Sequence, residues 1–135
     1  MLNKPISAVT SFHEAYGLGI EHKPTVSIPD HISMLRFNLM KEENEEYLEA
    51  AKEGDLVEVG DALGDMLYIL CGTIIAHGFQ EKIEAIFDEI QKSNMSKLDK
   101  NGKPKGQWAA GLNFKLNIEK EVIQNRINFL LFEDK

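Results

Sequence analysis

The stretch Asp30–Gly78, DHISMLRFNLMKEENEEYLEAAKEGDLVEVGDALGDMLYILCGTIIAHG, decides the fold. Asp30 reads as an N-cap and Gly54 as the stop of one long helix. Asp55 caps a second helix that stops at Gly78. So short a connection makes the two helices pack antiparallel. The first buries a stripe of Ile32, Leu35 and Leu39, which continues as Glu43, Glu46 and Ala50, so the core face turns to carboxylate halfway along. On the second, Glu58, Asp61, Asp65, Tyr68 and Gly72 form a stripe beside an apolar one of Leu56, Val59, Leu63, Leu67, Leu70 and Ile74. An antiparallel pair brings Glu43 and Glu46 opposite Asp61 and Asp65.

Outward from this pair, residues 7 to 16 carry Val9, Phe12 and Tyr16 at helical spacing and are stopped by Gly17 and Gly19. Residues 20 to 29, with Pro24 and Pro29, read as a loop. Phe79 to about Leu98 forms another helix with Ile83, Ile86, Phe87 and Ile90 on one face, and Asp99 to Gly106 is turn chemistry. From Leu112 to Lys135 the periodicity is mixed: Ile118, Val122 and Arg126 suit a helix, whereas Asn128 to Phe132 suits a strand or a packing tail. The pattern predicts an all-α bundle with little or no sheet. The expected organisation is one domain over residues 1–135, with a core at about 7–108 and a C-terminal extension at 112–135.

With 135 residues, 43% hydrophobic and 27% charged, the chain is globular rather than disordered. Its single cysteine, Cys71, excludes a disulfide framework and a thiolate metal site. No uninterrupted apolar run approaches the ~18 residues of a membrane span, and MLNKPISAVT lacks the apolar core of a signal peptide. A cytoplasmic location without membrane partners is the expectation. The formal net charge of −7 is a poor match to nucleic acid. Residues 42–65 hold ten of the 22 acids and one base, Lys52, while nine of the 15 bases lie from Lys92 onward.

Facing carboxylates persist on an inner face only if protonated, paired or neutralised. Lys52 cannot balance four or more acids, so a hard divalent cation with all-oxygen ligands, Mg²⁺ or Mn²⁺, is the economical solution. Di-iron is the runner-up metal and is disfavoured, because no Glu-x-x-His is supplied. Against the metal stands a plain solvated face, which is the simplest reading of Glu45, Glu49 and Glu53. Glu58 is further claimed by a capping box with Asp55. Asp61 and Asp65, flanked by apolar residues, resist such readings.

Glu42-Glu43-Asn44-Glu45-Glu46, followed by Gly60-Asp61-Ala62-Leu63-Gly64-Asp65-Met66-Leu67-Tyr68, resembles the all-α nucleoside triphosphate pyrophosphohydrolases. That superfamily comprises MazG-like proteins, dimeric dUTPases and phosphoribosyl-ATP pyrophosphohydrolases. The resemblance covers roughly Phe12 to Trp108 and implies a four-to-five-helix MazG-like bundle, an oligomer, and Mg²⁺ held by EExxE and ExxD acids. Glu42, Glu43 and Glu46 match the first motif. The second fits in two registers, Glu58 with Asp61, or Asp65 with Asp61 displaced by one residue, and both stay open. Ser93–Trp108 resembles the phosphoribosyl-ATP-pyrophosphohydrolase-like branch, whose Asn and Lys residues face the substrate phosphates.

The expected reaction is therefore hydrolysis of a nucleoside triphosphate to monophosphate and pyrophosphate. Glu43, Glu46, Glu58, Asp61 and Asp65 are the candidate ligands, and Glu42 or Glu43 accepts the proton of the attacking water. Asn94 and Lys97 extend the apolar stripe of their helix, and Lys103 and Lys105 follow on a Gly- and Pro-containing loop. All four are candidates for substrate phosphates. Phe12, His13, Phe37 and Trp108 are candidates to stack the base, and His77 is expected to serve its helix end electrostatically. Ile69, Ile74 and Ile75 are surplus apolar surface, which predicts a homodimer or homotetramer. The divergent ExxD region favours a nucleotide-pool substrate such as dUTP. The competing expectations are phosphoribosyl-ATP hydrolysis and a non-catalytic helical module.

Overall fold

The fold was taken from a computed structural model, which describes residues 2–103 and 120–133. Among these the chain is all-helical, with no strand. Its elements are α1 (Asn3–Tyr16), α2 (Asp30–Glu53), α3 (Leu56–Ala76), α4 (Ile83–Met95) and α5 (Lys120–Asn128), followed by a π-helical turn at Phe129–Glu133. Two compact units form, Met1–Glu81 and Lys82–Lys135.

In the first unit α1 starts at Asn3, four residues ahead of the expected Ser7. Pro5 is tolerated there because a first helical turn has no carbonyl partner for its N–H groups. The helix ends at Gly17, whose φ of 66° turns the chain back so that Leu18 N–H reaches the His13 carbonyl at 2.8 Å. The following loop is pinned to the end of α3. Glu21 N–H donates to Ile75 O and Thr25 N–H to His77 O. His77 does more than serve its helix end, because its Nδ1 lies 2.8 Å from the Thr25 carbonyl. Gly78 (φ 75°) is obligatory at this crossing, since a Cβ there would collide with the Lys23 backbone.

Asp30 is not the N-cap of α2. Pro29 holds that place, its carbonyl accepting from Ile32 and Ser33, and Asp30 is the first helical residue. Its charge instead sits in the first turn, where the helix dipole favours it. Only Gly54 and Asp55 separate α2 from α3, and Gly54 again takes a left-handed conformation at φ 70°. The two long helices make the most extensive packing of the unit, followed by α1 on α3.

The buried side of α3 differs from the expected leucine stripe. Ala62, Cys71, Gly72, Ile74, Ile75 and Ala76 are buried, whereas Leu56, Leu63, Leu67 and Leu70 are exposed. Small residues at 62, 72 and 76 let α1 and α2 approach closely, and the leucines turn outward. Ile69, Ile74 and Ile75 are accordingly not surplus: Ile75 is fully buried, Ile74 nearly so and Ile69 half-buried. Val9, Cys71 and Ile75 form the centre of the core, with Ile6 and Ile20 packed against it. By length and composition α3 could cross a membrane, but Glu58, Asp61 and Asp65 interrupt it.

In the second unit α4 is shorter than expected, because Phe79 to Lys82 form turns before it. It packs on α5. Ile86 and Ile123 are buried, and Glu89 pairs with Lys92 at 3.6 Å and Arg126 at 3.8 Å. The proposed strand at 128–132 is absent, as α5 widens into the π turn instead.

Replacing Ile75 by Ala should cost about 2–5 kcal/mol in urea denaturation. A loss under about 1 kcal/mol would contradict its place at the centre of the core.

Candidate functional site

Glu43 lies on the inward stripe of α2, half-buried, with Oε2 inaccessible to solvent and without a hydrogen-bond partner among the described residues. Burial, a hydrogen bond with Glu46 and the charges of Glu46, Asp65 and Glu42 push its carboxyl up to about 7. A carboxyl group that keeps its proton near neutrality marks a place where negative charge has been concentrated. Glu46 and Asp65, both exposed, are the α2 and α3 carboxylates whose charges reach Glu43.

Glu58 occupies a second acidic place. With Glu46, Glu49, Ala50 and Glu53 it lines a surface groove of about 240 Å³. The capping box that would have occupied its carboxylate is half made. Asp55 Oδ1 accepts from Glu58 N–H at 3.1 Å, but Asp55 N–H goes to Ala50 O at 3.0 Å and is not available in return. The Glu58 side chain therefore remains on the groove. Asp61 is exposed on α3, one turn before Asp65, and is not among the groups acting on Glu43. Glu42 is exposed as well. Among the described residues no three Asp, Glu, His or Cys side chains close into a ready-made metal shell. Glu45 belongs to the solvated face, as expected, and bonds Lys41 at 2.9 Å.

In the second unit Lys97 is almost fully buried and donates from Nζ to Asn94 Oδ1 at 2.8 Å. Lys103 is exposed at the end of a turn in which Asp99 Oδ1 accepts from the N–H groups of Asn101 and Lys103. Lys105 and Trp108 lie outside the described residues.

A cleft of about 290 Å³ opens between the three helices of the first unit, lined by Phe12, His13, Arg36, Leu39, Tyr68 and Ile69 among others. Leu39 is one helical turn from Glu43 and Tyr68 one turn from Asp65, so the cleft adjoins the acid pair at about 4.5–6 Å along each helix. Phe12 meets Tyr68 edge-on at 5.6 Å and Tyr16 at 4.5 Å. Phe37 does not line the cleft and is largely exposed. Arg36 escaped the sequence reading. It donates from Nε to Thr73 Oγ1 at 3.0 Å and from Nη2 to Ile69 O at 2.7 Å. The available signal was a lone cation on the apolar stripe, seven residues before Glu43.

The sequence model of the phosphoribosyl-ATP pyrophosphohydrolase family matches residues 9–94, from α1 through α4. The chain belongs to that family. Its pyrophosphohydrolases lie within the MazG-like superfamily. An uncharacterised protein of Acanthamoeba polyphaga mimivirus is 31% identical over 98 residues, which cover 70% of this chain. The chain spans 39% of the length of that relative.

The Glu43 shift has a signed consequence. Its folded pKa is raised, so the native state keeps a proton that the unfolded chain releases. The resulting stabilisation is full below pH 4.5 and is lost as pH rises through about 7. In chelator, the melting temperature of the protein should fall across this window, and Glu43→Gln should flatten the fall. Equal slopes for both proteins would refute the assignment.

Proposed function

We propose that the chain hydrolyses a nucleoside triphosphate to the monophosphate and pyrophosphate with Mg²⁺, for which Mn²⁺ substitutes. The observation that carries this reading is the Glu43 carboxyl, pushed up to about 7 among Glu46, Asp65 and Glu42, with its Oε2 buried and unpartnered among the described residues. An all-oxygen, anionic set suits a hard divalent cation better than zinc, which favours Cys and His ligands. Glu46 and Asp65 would hold it, joined by Glu58 or Asp61. When bound, the cation neutralises phosphate charge and makes water more acidic. Glu43, in its deprotonated form, accepts the proton of the attacking water. The water oxygen bonds to the α-phosphorus, the α–β anhydride bond breaks and pyrophosphate leaves. The scaffold's part is positioning and electrostatics, as phosphoryl chemistry demands.

The family match favours a second substrate, phosphoribosyl-ATP, with the same bond broken. We also propose a homodimer packed on the outward leucines of α3, since Leu63, Leu67 and Leu70 are 49%, 44% and 46% exposed on one face.

Glu43→Gln should lower turnover by about 100-fold or more while the helical circular dichroism persists. Glu46→Gln and Asp65→Asn should also remove the rise in melting temperature that Mg²⁺ gives the parent protein. The assay is product identity across nucleoside triphosphates and phosphoribosyl-ATP, and orthophosphate as the first product would eliminate the reaction. For the assembly, Leu67→Glu should yield monomers in light scattering. A mass unchanged from the parent would remove the leucine face as the interface.

A further inference from the structure

The cleft beside the acid pair is close to the lower end of ligand-pocket volumes, at about 300 Å³. Its walls are apolar and aromatic, and Arg36 is the one charged side chain lining it. A guanidinium in such a place is costly unless its donors are engaged. Nε and Nη2 are engaged by Thr73 and Ile69, whereas Nη1 bonds no group among the described residues.

Beside it lies an acceptor. His13 is buried, and its Nδ1 is 3.0 Å from the Gly19 carbonyl. A carbonyl oxygen can only accept, so Nδ1 carries the proton. In the neutral imidazole with Nδ1 as donor, the lone pair is on Nε2. Gly72 brings the two together: a Cβ there would collide with Arg36 Nη2 and would stand 3.0 Å from His13 Nε2. The apolar cleft thus presents a charged donor next to an acceptor. Phe12 and Tyr68, both partly exposed, supply aromatic surface at the same cleft.

We infer that this cleft seats the nucleobase of the substrate and that Arg36 with His13 selects bases carrying a carbonyl next to a ring N–H. Uracil, thymine, guanine and hypoxanthine present that edge, the carbonyl toward Arg36 and the N–H toward His13. In the same register cytosine and adenine present an amine and a lone pair, the inverse at both contacts. The inference rests on the triphosphate reading above, with the phosphates lying one helical turn away toward Glu43 and Asp65. Arg36 and His13 are specificity residues here and take no part in bond breaking.

Calorimetric binding of dUMP and dCMP tests the cleft without requiring turnover. The parent protein should bind dUMP at least about tenfold more tightly, the worth of one charge-assisted hydrogen bond. Arg36→Met, which leaves the Ile69 carbonyl its bond from Thr73 Oγ1, should bring the ratio close to one. Arg36→Lys keeps stem and charge without the fork and should lose most of the preference, so it decides the matter if the Met variant does not fold. Equal binding of both monophosphates by the parent protein would overturn the inference. An equal loss of both on Arg36→Met would do the same, because it would mark a merely structural arginine. If the parent releases no pyrophosphate from any triphosphate, the reaction fails, and monophosphate binding still judges the cleft.

Discussion

Carboxylates on two helices that cannot separate impose the constraint from which the rest of this molecule follows. Gly54 and Asp55 are all that lie between α2 and α3, so the inward face of one must meet the inward face of the other. Where those faces are Ile, Ala and Cys, contact is favourable. Where they are Glu43, Glu46 and Asp65, contact concentrates charge in a half-buried space, and Glu43 answers by holding a proton up to about pH 7. A proton is one way to relieve the repulsion and a divalent cation is another. The cation proposed above would compete with that proton for the same oxygens, which would link folding, pH and cation binding in one small region.

Helical period made this convergence legible before any coordinates. Glu43 and Glu46 continue the stripe of Ile32, Leu35 and Leu39, and Gly54-Asp55 is an explicit stop and start. Period could not rank the two apolar stripes of α3, because Leu63-Leu67-Leu70 and Cys71-Ile75 both satisfy it. Side-chain size settled the question: Ala62, Gly72 and Ala76 permit close helix approach, and leucines at those places would not.

Letter patterns also overstated what the backbone could deliver. Asp55-x-x-Glu58 spells a capping box, yet Ala50 O takes the Asp55 N–H that Glu58 would have needed. The way the preceding helix ends, not the motif, determines whether Glu58 is occupied. Arg36 is the converse case. In sequence it is one base on an apolar stripe, a place usually explained by its stem covering apolar surface. Its meaning depends on Gly72 and Thr73, thirty-odd residues away, which no local pattern relates to it.

Followed from its N-terminal half toward Gly54, the inner face of α2 passes from a cation in an apolar cleft to hydrogen-bonded carboxylates and then to an open acidic groove. Arg36 and Glu43 are seven residues apart, about 10 Å along the axis. A bare polyanion would be repelled over most of that length, and a purely apolar ligand would leave Arg36 Nη1 and His13 Nε2 unbonded. The surface suits a molecule that is planar and hydrogen-bonding at one end and anionic at the other, provided a cation accompanies the anionic end. That pairing of a neutral ring with a metal-dependent tail is the chemistry of the nucleotide proposed above as substrate. It arises from where one helix places its single arginine and its glutamates.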